Sequence, residues 1–430
     1  MSERFRRVKA KARGLAIDIS PLRTSRDFRL VMGSGLVTVL GSMVTYVTLP
    51  FQIKQLTGSY IAVGLAGAAE LIPLIIFGLY GGALADSVDR KILVVITEIA
   101  AMVLSAILLI NSLLSHPKIW VIYLVAALFA AADGLQRPSL EAMTPRIVPH
   151  EQLAAASALR SIRWQFGAIL GPALGGVLIA TAGVSSGYAF DIATYVLSLI
   201  FLARLSRMPS RADNPAPTLG ALTTGLKYAF SRQDLVGTYA IDLAAMFFAM
   251  PNALFPFLAD RLGAPWSLGL LYSAGMVGSI IATVTSGWVT RYHHHGRAVI
   301  IAATMWGISI FIAGATNSLT IVLLGLAVAG GADQISGIFR STIWNQTIPD
   351  ELRGRLAGIE LLSYSLGPIG GQTRAGLMAS WTGLRASIMG GGALCVGAVG
   401  ILATVLPKFR RYDDRTNEFA VEARNRRQHP

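Results

Sequence analysis

The feature that most constrains this chain is a series of apolar runs close to 20 residues long, at roughly 29–53, 61–84, 91–113, 118–138, 154–181, 187–205, 235–258, 267–289, 298–315, 319–340, 356–379 and 383–406. A helix rises about 1.5 Å per residue, so each run is long enough to cross the roughly 30 Å of hydrocarbon in a bilayer. Soluble cores need no such runs. The composition agrees: 53% of residues are hydrophobic and only 14% charged, against about 25% charged in an average soluble domain. The single cysteine, Cys395, lies inside the last run, which leaves no disulfide framework and no cysteine-based metal site. It is expected to be a packing residue.

Charge sets the expected orientation. Nine basic residues fall between Arg4 and Arg29, and this segment has neither the apolar core nor the small-residue cleavage site of a signal peptide. Basic residues recur at Arg90–Lys91, Arg146, Arg204 to Arg211, Lys227 to Arg232, Arg291 to Arg297, Arg353–Arg355 and from Lys408 onward, whereas the alternate loops hold little beyond Lys54, Lys118, Arg261 and Arg385. This asymmetry is the positive-inside pattern, and with an even number of spans it predicts both termini in the cytoplasm. Cytoplasmic cations on a membrane protein also explain the net charge of +14 without nucleic acid. Within the first segment Phe5, Val8, Ala12, Leu15 and Ile19 recur at helical spacing between cations. Two readings stand: an in-plane amphipathic helix on anionic headgroups, or a disordered basic tail that fixes topology.

The predicted organisation is a basic segment over 1–28, a six-helix bundle over 29–205, a proline-containing cytoplasmic linker over 206–234, a second bundle over 235–406 and a charged tail over 407–430. Internal repetition supports the cut. Asp133, Pro149 and Glu151 recur as Asp333, Pro349 and Glu351, each 200 residues later, and Gly171-Pro172 with Gly175-Gly176 is echoed by Gly367-Pro368 with Gly370-Gly371. Two repeats with a site between them are a standard transporter plan. The expected fold class is therefore all-α integral membrane, with twelve transmembrane helices in two pseudo-symmetric six-helix bundles.

Between the second and third runs lies Gly81-Gly82-Ala83-Leu84-Ala85-Asp86-Ser87-Val88-Asp89-Arg90-Lys91. It resembles the cytoplasmic loop signature of the major facilitator superfamily, and the resemblance assigns a gating role to Gly82, Asp86 and Arg90. The fifth run holds Gly167, Gly171, Pro172, Gly175 and Gly176. Physically, Gly-Pro bends a helix and the small residues permit close contact; the arrangement is similar to the antiporter motif of exporters, with close packing as the plain alternative. Pro50-Phe51-Gln52-Ile53, Ala132-Asp133-Gly134 and Ser273-Ala274-Gly275 resemble the enterobactin-exporter-like branch, alongside drug–proton antiporters, over residues 20 to 405. One departure stands out. Many drug–proton antiporters carry a basic residue in the fourth span, near the position of Ala130 here, and Asp133 replaces the usual Gln, so coupling would run through acids.

Ionisable groups at membrane depth are costly unless they face protein or water, which makes each a functional candidate. Glu70 lies about 13 Å and Arg374 about 10 Å from the same face. In the family their helices are neighbours across the interface between halves, so they are expected either to form an ion pair that closes the extracellular side or to find partners within their own halves. Glu70 is also a candidate carrier of the coupling proton. Asp133 with Arg137, and Asp333 with Arg340, suggest symmetric local pairs; Asp242 and Glu360 read as structural. Arg163 could meet an anionic substrate or snorkel to headgroups. His293-His294-His295 reads as a solvated loop, because adjacent histidines lack ligand spacing.

The sequence reading is thus a multi-pass inner-membrane protein without enzymatic chemistry. It is expected to be a secondary active exporter of small amphipathic molecules, siderophore or drug-like, working by proton-coupled antiport and alternating access. The alternative is an importer or lipid flippase on the same fold. No cofactor beyond the proton gradient is expected, since no phosphate-binding Gly-x-x-x-x-Gly-Lys-Ser/Thr loop is present. The expected partners are the small-molecule substrate and membrane lipids, with anionic headgroups at the basic N-terminus, and the expected state is a monomer.

Overall fold

The computed structural model describes residues 18–208 and 227–428; for 79, 81–87, 350–355, 357–363 and 426–428 only the helical backbone is described. The amphipathic pattern of residues 5–19 therefore lies outside the described residues except for Ile19, as does most of the linker over 206–234. Among the described residues twelve long helices follow one another: α1 Arg26–Thr57, α2 Tyr60–Ser87, α3 Arg90–Leu113, α4 Ile119–Ile147, α5 Leu153–Ala182, α6 Val184–Ala203, α7 Gln233–Ala249, α8 Leu268–Val284, α9 His295–Ala315, α10 Leu319–Thr347, α11 Asp350–Thr382 and α12 Leu384–Val405. Eleven are long and apolar enough to span a membrane. The twelfth, α11, reaches 33 residues by adding a charged first third to its apolar stretch.

The helices alternate in direction, so α1 begins and α12 ends on one side, the termini side; the opposite face is the far side. Within the first half α1 packs on α5 and α6, α2 on α4, and α3 on α4 and α6. In the second half α7 packs on α11 and α12, α8 on α10, and α9 on α10 and α12, the same pattern six helices later. The 200-residue offset reappears in the backbone: Gly183 and Gly383, with φ of 78° and 86°, turn α5 into α6 and α11 into α12. A side chain at that φ would be strained, which is why both turns use glycine.

Three boundaries differ from the hydropathy reading. The seventh apolar run breaks at Met250, whose ψ of 104° is extended, and resumes as a short helix, Phe255–Arg261. Pro251 forces this, because a residue before proline is pushed out of the helical region. Conversely, α4 continues through Pro138 and Pro145, and α10 runs seven residues past its predicted end to Thr347.

The tail is also more ordered than a merely charged extension. After α12, Pro407–Arg410 and Glu418–Gln428 are helical. The Phe409 ring is fully buried in a slot shaped by two glycines: a Cβ on Gly237 would come 2.2 Å from its ring, and one on Gly296 1.8 Å from its carbonyl oxygen. Arg232 lies 3.6 Å over the Phe419 ring and donates to the Thr347 carbonyl at 2.9 Å. The histidine triplet, expected as a solvated loop, instead clamps this tail. His293 Nδ1 meets Asp414 at 2.8 Å, His294 Nδ1 lies 3.4 Å from Asp413, and His295 is buried between Phe339 and Tyr412. Sequence spacing missed this because the partners lie about 120 residues away.

Hydrogen bonds from the Arg415 side chain and backbone N–H hold the Asp413 carboxyl well below the usual carboxylate range. A depressed carboxylate stabilises the docked state above its unfolded value, near 3.9, and loses that contribution as pH falls. The protection of the tail amides relative to unstructured chain at the same pH should therefore be high at neutral pH and fall as the solution is acidified below about pH 4. Phe409→Ala, which removes a buried ring at a cost of about 3–5 kcal/mol, should release them at neutral pH as well; unchanged protection in that variant would refute the docking role.

Candidate functional site

The two halves meet along two seams, α2 against α11 and α5 against α8. In the first, Gly64 and Gly376 touch through backbone, and the Thr373 hydroxyl donates to the Gly64 carbonyl at 3.0 Å. In the second, a Cβ on Gly176 would lie 2.7 Å from the Gly269 nitrogen, and the Ser273 hydroxyl donates to the Ile169 carbonyl at 2.7 Å. An ion pair between Lys54 at the end of α1 and Asp260 caps them. Asn252 donates to the Tyr46 hydroxyl at 3.0 Å, Tyr46 packs edge-on against Tyr272 at 5.5 Å, and the Tyr60 and Phe257 rings lie 4.4 Å apart. All these contacts lie between mid-membrane and the far side. The region between the halves on the termini side of these contacts is called the cleft below.

Asp133 and Arg137 form their expected pair on α4 at 2.9 Å, with side chains 49% and 41% exposed. Glu70 on α2 is half-buried about 10 Å deeper; among the described residues it makes no hydrogen bond or ion pair. Arg163 lies across α1, its guanidinium taking the space a side chain at Gly35 would need. It donates to the Val31 carbonyl at 3.5 Å, and its Nε has no partner.

The Glu70 to Arg374 latch is not formed, although the far side is closed. Arg374 donates within its own half, to the Phe247 and Ser387 carbonyls at 3.3 and 3.5 Å, and its Nη1 also lies 3.4 Å from the Met378 sulfur. The reason is helical phase. Thr373 and Gly376 occupy the face of α11 that meets α2, so residue 374 points about 100° away from Thr373, toward α7 and α12. The lock that does form is Lys54 with Asp260 over the glycine seams.

The second-half counterpart of Asp133–Arg137 also differs. Arg340 lies 3.7 Å from Asp333, but it pairs more closely with Asp242 of α7 and sits beneath the Tyr364 ring. Arg340 and Asp242 are buried, and the Asp333 side chain is 40% exposed. The first-half pair is therefore local and wet, and the second is an interhelical triad.

Of the loop signature, Gly82 and Asp86 have side chains outside the described residues. Arg90 donates to the Ala142 carbonyl at 3.3 Å, joining the start of α3 to α4. The fifth-span motif divides its contacts: Gly167, Gly171 and Gly175 face Val39, Met43 and Val44 of α1, while Gly176 and the Pro172 carbonyl face Gly269 in the seam. Close packing within a half and closure between halves thus share one motif.

Two acids were not singled out from sequence. Glu98 of α3 and Asp191 of α6 are both buried in the first bundle, bonded only to hydroxyl and amide groups. A signal existed: Thr38 and Thr45, Glu98 and Ser105, and Asp191 and Ser198 are polar pairs seven residues apart in three of the membrane-length runs, a spacing that keeps each pair on one helix face.

Comparison with known proteins converges on transport. A family model described as a transmembrane secretion effector matches residues 16–427. The enterobactin exporters EntS of Shigella boydii and Escherichia coli are each 28% identical over 406 residues, covering 92% of this chain and 95% of theirs. Among solved structures, the nucleoside transporter NupG aligns with a TM-score of 0.70 at 13% identity, covering 90% of this chain and 100% of its own. A POT family transporter in complex with 5-aminolevulinic acid aligns at 0.72 with 11% identity, covering 90% and 97%. These likenesses show the fold.

Proposed function

We propose, from the premise that this chain belongs to the transmembrane secretion effector family of the major facilitator superfamily, that it is a secondary active exporter of small amphipathic molecules of siderophore or drug-like character. The bundles over 29–205 and 235–406 rock about the midplane, and counter-movement of protons supplies the energy. The positive-inside asymmetry favours an inner-membrane orientation with both termini in the cytoplasm. In that orientation the cleft faces the cytoplasm, the state in which an exporter loads cargo. The observation that supports this reading is the set of close contacts between the halves on the far side.

Within the cleft Arg163 is the anchor for an anionic group, and Glu70, Asp133 with Arg137, and Asp333 are the polar groups against which cargo and protons exchange. The aromatic cluster of Tyr46, Phe255 and Tyr272 at its closed end suits an apolar body, since ligand sites are mostly apolar with few polar anchors. Residue 374 serves its own half in this conformation and enters only when the seams part.

Uptake of labelled enterobactin, the molecule named for the relatives, into everted ATP-free membrane vesicles tests both direction and energy. With an acidic lumen the vesicles should accumulate it, with a limit of about tenfold per pH unit for one proton exchanged. Accumulation that ignores the gradient removes proton coupling; net movement out of the vesicles favours an importer.

A further inference from the structure

The first bundle contains a polar ladder that none of the assigned functions uses. At its upper rung Asp191 is fully buried, and its Oδ2 accepts hydrogen bonds from the Thr45 hydroxyl at 2.7 Å and the Ser105 hydroxyl at 2.6 Å. Its Oδ1 has no partner. A middle rung joins the Ser42 and Tyr195 hydroxyls at 3.3 Å. At the lower rung Glu98, 3% exposed, accepts from the Thr38 hydroxyl at 3.1 Å and the Gln136 amide at 3.0 Å, and beside it the Ser198 and Ser34 hydroxyls bond at 2.8 Å. The rungs stack because α1, α3 and α6 each repeat a polar residue at seven-residue spacing, about 10 Å along the axis.

What faces these acids decides what they do. From α1 come Thr38, Ser42 and Thr45, from α3 Ser105, from α4 Gln136, and from α6 Tyr188, Tyr195 and Ser198. The titratable groups among them are the two phenols, and among the described residues no lysine, arginine or histidine pairs with either acid. The second bundle contrasts, because there Asp242 and Asp333 flank the cation of Arg340. A carboxylate buried at membrane depth without a cation is costly enough that the group neutralises instead. The oxygen spacings of 2.6–2.7 Å suit a shared proton, whereas a metal cation between such oxygens would hold each at about 2.3–2.6 Å and spread them further apart.

We propose that Asp191, reached through Glu98, holds the proton that the cleft acids exchange with water during the transport cycle. The proposal rests on the proton-antiport reading given above and locates its coupling in the core of the first bundle. Gln136 bonds Glu98 and sits on α4 between Asp133 and Arg137, whose side chains are exposed, so the lower rung is one side chain from the exposed surface. A proton leaves the Asp191 carboxyl when rotation of the Ser42 and Tyr195 hydroxyls between the rungs links it to Glu98 and then to cleft water, leaving a carboxylate; reprotonation reverses this. The coupling lever is α1. Thr45 donates to Asp191, and the next residue, Tyr46, holds Asn252 and Tyr272 of the opposite half, so a change in charge at Asp191 acts on α1 next to the closure contact.

The test uses the full chain in proteoliposomes, with enterobactin flux measured with and without an imposed pH gradient. The ratio of driven to undriven flux does not depend on how much protein has inserted. In wild type it should exceed one and grow with the imposed gradient; in Asp191→Asn it should fall to one, and in Glu98→Gln it should fall. A double Thr45→Val, Ser105→Ala variant keeps the acid and removes its donors, so it should shift the pH profile of the ratio, which a purely structural role would not. A wild-type ratio of one would overturn the antiport reading, and with it this proposal. A coupled wild type with an equally coupled Asp191→Asn variant, or with an unshifted profile in the double variant, would overturn the proposal alone. A ratio that follows a sodium gradient instead would replace the proton by a metal cation.

Discussion

Replacing Gly176 or Gly269 by leucine should open the far side of the molecule. A Cβ on Gly269 would stand 2.5 Å from the Pro172 carbonyl oxygen and 2.9 Å from the Ala173 Cα, and one on Gly176 would stand 2.7 Å from the Gly269 nitrogen. These obstacles are backbone, so no flexible side chain can yield. Overpacking of this kind costs about 1–3 kcal/mol, and each 1.4 kcal/mol moves a two-state equilibrium about tenfold. Because the penalty falls only on the conformation in which the seam is closed, the population should shift toward the opposite opening. The same holds for Gly376, whose Cβ would meet the Tyr60 carbonyl oxygen at 2.6 Å. Spin labels at Thr57→Cys and Leu262→Cys, with the buried Cys395 replaced by Ala, should report a longer distance in the leucine variants. Gly397→Leu, where nothing lies within 4 Å, should leave the distance unchanged. Equal distances in seam and control variants would refute the seam as the closure element.

Arg340→Leu should be the most destabilising charge substitution in the second bundle. It leaves Asp242 buried and Asp333 partly buried without their cation, and breaking a buried pair from one side costs about 3–5 kcal/mol. Unfolding of the detergent-solubilised protein should fall steeply in temperature, and adding Asp242→Asn should recover part of the loss by removing the stranded charge. Arg137→Leu is the matched comparison. Its pair with Asp133 is exposed at 41% and 49%, so its effect should stay within about 1 kcal/mol. Similar losses from both substitutions would show that burial does not separate the two pairs.

These two expectations divide what could be read from the chain from what could not. The glycines of the fifth span were visible as a motif, and so was the repeat that produces two halves. That Gly176 reaches across to Gly269, while Gly167, Gly171 and Gly175 stay within their own half, depends on the rotation of α5 between α1 and α8. Arg340 and Asp333 were visible as neighbours on one helix; Asp242, about 100 residues away in sequence, becomes the main partner only when α7 packs beside α10. Glu70 and Arg374 lie at similar depths from one face by residue count, yet depth says nothing of direction around the helix axis, and Arg374 points into its own half.

The sequence by itself determined the solvent, the number of crossings, the two-fold repeat and the loop signature, because the length of an apolar run and the placement of cations are local properties that lipid thickness and charge asymmetry read directly. It could not decide which face of each helix meets which neighbour. In water an apolar stripe marks the buried face; in lipid the outward face is as apolar as the packed one, so that signal is erased and only sparse polar positions remain. The tertiary structure alone decided that Asp242 and Arg340 neutralise each other, that Glu98 and Asp191 share a ladder without a cation, that Lys54 and Asp260 close the far side, and that the tail docks under the histidines. Each of these joins residues tens to hundreds of positions apart, and their energies exist only once the helices that carry them are packed.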